Sequence, residues 1–274
     1  MNTCSFPSVV SIAGTDPSGG AGIQADIKAI SATGSYAASI ITAMVSQNTQ
    51  GVQDILQVPP AFIRQQFESV FSDLDIHAVK IGMLQDASII EVVFSELIKL
   101  KPNNVVFDPV MVAKGGAVLL DLSALQSLKN NLKGVVSLIT PNLFEAEHLL
   151  GSKITTQSDM AAMAAIFGKQ FHLNVLIKGG HLDQSRSPDV LYVKEQDRCH
   201  WFDAPRIDTK NTHGTGCSLS SAIASYLAQG FSLYEAVSAA KSYLTKAIQS
   251  GTTNQIGKGF GPIDHFYFLE NRSL

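Results

Sequence analysis

The sequence predicts an α/β fold, a doubly wound and mostly parallel sheet with helices on both faces. Three observations predict it. Strand-like and helix-like segments alternate along most of the chain. The strand-like runs are short and continuously apolar, the pattern of strands covered on both faces. The segments that leave them are rich in Gly, Asp, Asn, Gln and Lys, as expected where ligands sit beyond the carboxyl ends of the strands.

Residues 9–13 read as the first strand, followed by a glycine-rich loop and a helix over 23–32 that Gly34 stops. Residues 39–45 read as the next strand. Pro60–Phe71 reads as a helix with Phe62, Phe67, Val70 and Phe71 mostly on one face. Ala78–Ile81 is a strand, 88–100 a helix, Val105–Phe107 a strand ending at Asp108-Pro109, and 135–139 a strand ending at Thr140-Pro141-Asn142. A helix over 158–171 leads to a strand at 175–177 and the turn Gly179-Gly180. Residues 192–194 and 199–202 read as a hairpin, which adds antiparallel pairing. No repeat, low-complexity segment or linker interrupts the chain, so residues 1–274 are expected to form one domain.

At 45% hydrophobic and 16% charged residues, the 274-residue chain can bury a large core and does not resemble a disordered one. A net charge of −3 without any concentrated run of Lys or Arg argues against a nucleic-acid partner. Apolar stretches such as 37–45 are too short to cross a bilayer, and the first residues lack a secretory pattern. Cys4, Cys199 and Cys217 are scattered, with no C-x-x-C pair, so neither a disulfide framework nor a zinc site is expected. The expectation is a cytoplasmic protein with free thiols.

The strongest chemical signal is Asn211-Thr212-His213-Gly214-Thr215-Gly216-Cys217, followed by a periodic helix. Leu219, Ala222, Ile223, Tyr226 and Leu227 repeat at the spacing of one buried face, and Gly230 closes it. The free N–H groups of a first helical turn form an anion site. Gly214 and Gly216 let an oxyanion approach the backbone. Such donors suit phosphoryl transfer, where charge gathers on the equatorial oxygens. Cys217 sits where the helix end is expected to favour the thiolate, able to accept the proton of an attacking hydroxyl. A thiol hydrolase pairing Cys217 with His213 is the alternative, but no acyl-binding motif accompanies it.

The first loop, from Gly14 through Gly19-Gly20-Ala21-Gly22, is not a Walker A loop, because no Gly-Lys-Ser/Thr follows. A dinucleotide site would need an acid at the tip of the second strand, and Val45-Ser46-Gln47-Asn48 offers none. The loop is read instead as bringing backbone groups and Asp26 close to a small, flat ligand.

With these loops in place the chain resembles the hydroxymethylpyrimidine/phosphomethylpyrimidine kinases of thiamine biosynthesis, in the ribokinase-like superfamily. The matching words run from Ala13-Gly14-Thr15-Asp16-Pro17-Ser18-Gly19-Gly20-Ala21-Gly22-Ile23-Gln24-Ala25-Asp26 through Gln47-Asn48-Thr49 and Lys80-Ile81-Gly82-Met83-Leu84. They continue with Thr140-Pro141-Asn142 and Glu145, Lys178-Gly179-Gly180-His181, and the 211–217 segment. Gly257-Lys258-Gly259 and Gly261-Pro262 also look like the family.

The resemblance implies an ATP-dependent kinase acting on hydroxymethylpyrimidine and then on its monophosphate. It implies that Gln47 hydrogen-bonds the aminopyrimidine, that Met83 and Val110 flank the ring, and that Asp26 and backbone near Gly14 complete the polar contacts. Asn142 and Glu145 are implied around Mg²⁺, partly through water, although Asn142 read alone is simply an N-cap. Lys178 and Lys241 are implied near the phosphates or nucleotide, and Asp108 at the transfer end. A homodimer is also implied. Sugar kinases of the superfamily carry Asp where this chain has Cys217, which points to the branch that includes pyridoxal kinases, the alternative activity. A non-catalytic binder of thiamine precursors is the rival of another class.

Overall fold

A computed structural model describes residues 6–113, 116–120, 124–180 and 185–269. An eight-stranded sheet is built from β1 (Ser8–Ala13), β2 (Tyr36–Ile41), β5 (Ala78–Ile81), β6 (Val105–Phe107), β7 (Leu138–Ile139), β8 (Asn174–Lys178), β9 (Asp189–Val193) and β10 (Arg198–Phe202). Its order is β10-β9-β8-β7-β6-β5-β1-β2. The pairings from β2 to β8 are parallel, and β9 and β10 add antiparallel strands at one edge. The order reverses between β1 and β5. A sheet wound in both directions leaves a crevice there for a ligand.

Alternation along the strands explains the two helical layers. Val9, Ala78, Val106 and Leu176 pack on one face, with α1 (Gly22–Ala32), α7 (Thr215–Ala228) and α8 (Leu233–Ser250). Val10, Ile12, Val79, Ile81, Val105 and Phe107 point the other way. There they meet α2 (Pro60–Phe71), α3 (Ala87–Leu100), α4 (Leu125–Leu132), α5 (Leu143–Leu150) and α6 (Gln157–Phe171). Local signals start several of these helices. Asp86 caps α3 by accepting from Ile89 N, and Thr156/Asp159 and Ser232/Glu235 form capping boxes on α6 and α8.

The structure departs from the sequence expectation at three places. The strand expected at 39–45 is two strands. The chain leaves the large sheet at Thr42, whose hydroxyl donates to Met83 O at 2.9 Å. It then forms β3 (Ala43–Asn48), which pairs antiparallel with β4 (Gly51–Gln57) as a separate hairpin. Ala43 and Val45 face inward while Met44 and Ser46 are exposed, so this is a half-buried strand with period two. A bulge resets the register between Ser46 and Gln47. It absorbs Gln53 and lets Val52 and Ile55 both pack with Ala43, Val45 and Met83. Second, the strand expected at 135–139 pairs only at Leu138–Ile139, because Val135 N and Val136 N donate to Leu132 O and close α4. Third, Phe62 faces outward, 56% exposed, while Ile63 and Phe67 carry the buried face of α2.

At the crevice the layers are joined by a fully buried ion pair. Lys80 Nζ on β5 lies 2.8 and 2.7 Å from the Asp26 carboxylate oxygens on α1. Asp26 also accepts from Ser11 of β1 at 2.5 Å and Ser221 of α7 at 2.8 Å. Removing one partner leaves an uncompensated buried charge. Lys80→Met should therefore lower unfolding stability in urea by about 3–5 kcal/mol, and Lys80→Met with Asp26→Leu should recover most of that loss.

Candidate active site

The crevice opens into a cavity of about 550 Å³ at the carboxyl ends of the parallel strands, beside the β3–β4 hairpin. Its size suits a small organic ligand together with part of a nucleotide. The structure brings nearly all of the sequence-predicted residues to its walls.

The 211–217 segment forms one wall. Gly214 has φ +77°, and a Cβ there would lie 1.8 Å from Gly20 O, so two glycine-rich loops touch backbone to backbone. α7 then begins at Thr215, and its first intrahelical bond runs from Ser218 N to Gly214 O at 2.9 Å. The N–H groups of Gly216 and Cys217 precede that bond at the positive end of the helix. A Cβ on Gly216 would sit 3.4 Å from both Asp108 Oδ2 and Lys178 Nζ, so both charged groups crowd the turn.

Cys217 lines the cavity, but its protonation differs from the sequence expectation. Burial pushes the thiol up to about 11; Lys80 pulls the other way, and the Asp26 and Asp108 carboxylates add to the rise. Desolvation outweighs the helix end, and the resting group is a thiol. The pairing with His213 is also absent, since His213 Nε2 lies 2.8 Å from Asp16 Oδ2.

Opposite the turn stands a charged cluster. Lys178 Nζ donates to Asp108 Oδ1 at 2.7 Å, and Thr140 Oγ1 donates to the same oxygen at 3.2 Å. Burial alone would favour a neutral Lys178 amine, but the Asp108 and Glu145 carboxylates outweigh it and hold the cation above its usual range. Asn142 is the N-cap of α5 in a full capping box. Its Oδ1 accepts from Glu145 N at 2.9 Å, while Glu145 Oε2 accepts from Asn142 N at 2.8 Å. The Glu145 carboxyl is pushed up to about 7, first by burial and then by Asp108, against the pull of Lys178. Lys241 lines the cavity near the sheet edge, where its Nζ donates to Asp189 Oδ2 at 2.6 Å and Ser187 O at 2.8 Å.

The remaining wall is the hairpin side. Gln47 and Val110 line it half-buried, Met83 is nearly buried beside Val45, and Gly14 leaves room for Met83 Sδ, 3.2 Å from where a Cβ would stand. Asp26 is the exception among the expected substrate contacts. It is fully buried below the cavity, and Lys80, Ser11 and Ser221 occupy its carboxylate. Cys4 and His181 lie outside the described residues.

Sequence reasoning missed two elements of the site. Lys80 reaches the cavity floor although it is fully buried; a lone lysine inside an apolar strand was the available signal. Asp16 was the second. Its carboxylate accepts from Ser18 N, Ser18 Oγ, Gly20 N, Ala21 N and His213, so it organises the first loop and ties it to the second.

Two predictions follow from these charges. In a Cys4→Ser/Cys199→Ser background, Cys217 should alkylate slowly with iodoacetamide at neutral pH and accelerate only as pH approaches 11. Burial raises the Asp16 carboxyl, but its hydrogen bonds from His213, Ser18 and Ala21 outweigh this and lower it from 3.8 to about 2. Its contribution to stability is therefore present above pH 3.8 and lost as pH falls towards 2. Asp16→Asn should remove that part of the acid sensitivity in urea titrations.

The family described as Phosphomethylpyrimidine kinase matches residues 16–264. The hydroxymethylpyrimidine/phosphomethylpyrimidine kinase of Salmonella typhimurium is 48% identical over 94% of this chain and 97% of its own length. A bifunctional thiamine biosynthesis protein of Geobacter sulfurreducens is 46% identical over 97% of this chain, which spans 54% of that relative. Among solved structures, an ADP complex of Bacillus subtilis pyridoxal kinase has a TM-score of 0.88 at 34% identity, covering 97% of this chain and 100% of that one. A phosphomethylpyrimidine kinase of Clostridium difficile has a TM-score of 0.77 at 41% identity, covering 88% and 99%.

Proposed function

The chain belongs to the phosphomethylpyrimidine kinase family, and we propose that it transfers a phosphoryl group from ATP to 4-amino-5-hydroxymethyl-2-methylpyrimidine and then to the resulting monophosphate, in thiamine biosynthesis. The observation that carries this reading is the turn at 214–217, with two backbone donors and Lys178 facing one cavity whose other wall holds Gln47 and Met83. The whole chain acts as one cytoplasmic kinase domain on this reading. Among the described residues no helix is long and apolar enough to cross a membrane.

The pyrimidine ring packs on Met83 and Val110, and Gln47 exchanges hydrogen bonds with its ring nitrogen and amino group. Its hydroxymethyl oxygen then faces the turn, where the terminal phosphate of ATP is held by Gly216 N, Cys217 N and Lys178. These donors meet the charge that gathers on the transferring group. As a resting thiol, Cys217 acts as a relay: it accepts the hydroxymethyl proton while passing its own to a phosphate oxygen. Lys241, tied to Asp189, flanks the nucleotide.

Among the described residues no group of three or more His, Cys, Asp or Glu side chains could hold a metal. The oxygen donors of Asn142, Glu145 and Asp108 nevertheless fit Mg²⁺, which takes few protein ligands and keeps its waters. A carboxyl held at about 7 by burial and a neighbouring carboxylate is one that added positive charge would relieve. Bound there, Mg²⁺ would neutralise phosphate charge.

Pyridoxal is the second substrate to test, because the Bacillus subtilis pyridoxal kinase matches this fold with the higher TM-score of the two solved structures. A homodimer is also part of the reading. Met44 and Leu56 pair across the outer face of the hairpin, 57% and 66% exposed, and offer an apolar surface for it.

The direct test is turnover with ATP, following mono- and diphosphate products, with pyridoxal run in parallel. Preferred turnover of hydroxymethylpyrimidine supports the reading, preferred turnover of pyridoxal replaces it, and no ADP release with either removes it. Cys217→Ala should lower kcat by about 10²–10⁴ with little change in pyrimidine KM; an unchanged kcat takes the thiol out of the reaction.

A further inference from the structure

The glycine-rich segment at 257–262 lies outside the chemistry described above, yet it touches both halves of the site. At one end it grips the tip of the β3–β4 hairpin. Phe260 N donates to Thr49 O at 2.8 Å, and Gly259 N and Lys258 N donate to Thr49 Oγ1 at 3.1 and 3.2 Å. The approach is close enough to require glycine. A Cβ on Gly259 would lie 1.9 Å from Thr49 O, and one on Gly257, at φ +74°, 2.3 Å from Thr49 Oγ1.

At its other end the same segment pairs with the anion turn. Gly261 O accepts from His213 N at 3.0 Å, and Pro262 bridges His213 in parallel. A Cβ on Gly261 would lie 2.1 Å from Asn211 Oδ1, while Asn211 Nδ2 donates to Gly251 O and Asn254 O at 2.7 Å each. The residues that follow root the segment in the core. Ile263 and His265 are buried, and His265 Nε2 lies 2.9 Å from Ser218 Oγ at the start of α7. Tyr243 OH donates to His265 O at 3.0 Å, and Asp264 N donates to Ala247 O at 3.0 Å, both tying it to α8.

The hairpin pairs with no strand of the large sheet. Its base is held at β3, where Thr15 N donates to Ala43 O at 3.0 Å, Val45 N donates to Thr15 Oγ1 at 2.9 Å, and Ala43 and Val45 pack on Met83. At its tip the strap holds Thr49. Gln47 is two residues from the gripped Thr49, and Gly214 follows the paired His213.

We infer that Thr49 is a positioning residue, the latch by which the 257–262 strap holds the hairpin and Gln47 in register with the anion turn. The inference rests on the kinase reading above. It goes beyond it by making recognition of the ring and placement of the phosphate depend on one strap. The latch is made by the Thr49 hydroxyl accepting two backbone N–H groups, so a serine replaces it and an alanine or valine does not.

The test compares Thr49→Ala, Thr49→Val and Thr49→Ser in steady-state kinetics, with thermal unfolding of each variant as the check on folding. Loss of two hydrogen bonds at the hairpin tip should raise the KM for the hydroxymethylpyrimidine about five- to tenfold in the Ala and Val variants. The KM for ATP should stay within about twofold, because the turn keeps its own anchor to the strap. Thr49→Ser should restore the pyrimidine KM to within about twofold. A non-hydrolysable ATP analogue, titrated with and without pyrimidine, should lose its dependence on pyrimidine in Thr49→Ala. A pyrimidine KM unmoved in Thr49→Ala, an equal loss in Thr49→Ser, or parallel rises in both KM values would each overturn the latch. The wild-type chain separates the two ideas. No wild-type turnover overturns the kinase reading, whereas an active wild type with an indifferent Thr49→Ala overturns the latch alone.

Discussion

Two backbones meet where only glycine can stand: Gly214 lies so near Gly20 O that a methyl group would overlap the carbonyl. That contact sets the approach of the anion turn to the first loop, and the rest of the site is arranged around it. Asp16 locks the contact electrostatically by gathering N–H donors from its own loop and the His213 ring from the other. The first turn of α7 is thereby fixed with its donors turned into the crevice between β1 and β5, where the strand order reverses. Preorganised donors of this kind do not need to rearrange as charge develops.

The charges below and beside the turn divide into two groups with different purposes. Lys80 and Asp26 neutralise each other in the interior and bind α1, α7, β1 and β5 through shared hydrogen bonds. That pair is structural, and its two members act in opposite directions on the Cys217 thiol, Lys80 lowering it and Asp26 raising it. Lys178, Asp108 and Glu145 instead face the cavity with two carboxyl groups to one amine; the carboxylates keep Lys178 charged, while burial first and Asp108 second push Glu145 up to about 7. Such unbalanced charge suits a site that receives a phosphate and its counter-cation together.

Much of this was legible in the sequence because it is written in local pattern. The short apolar strands, the Asn142 cap with Glu145 three residues on, and the glycines at 214 and 216 each follow from rules spanning a few residues. The hairpin escaped because 39–45 is one apolar run across two strands, and the break at Thr42 depends on bonds to Ala13 and Met83 that are distant in sequence. Asp26 was misplaced for the same reason: its partners Lys80 and Ser221 arrive from β5 and α7. The Cys217 thiolate was a local expectation, from a helix N-terminus, overruled by burial that only the assembled layers create. Local chemistry named the turn at 214–217, the family resemblance named most of the other candidates, and long-range packing set which of them line the cavity.

The central claim is that the migrating phosphate is cradled by the turn at 214–217. A crystal structure with hydroxymethylpyrimidine and a non-hydrolysable ATP analogue tests it most directly. The account predicts terminal phosphate oxygens about 3 Å from Gly216 N and Cys217 N, with the hydroxymethyl oxygen on the Gln47 side in line with the phosphorus. A terminal phosphate lying away from those amides, beyond hydrogen-bond reach of both, would contradict it.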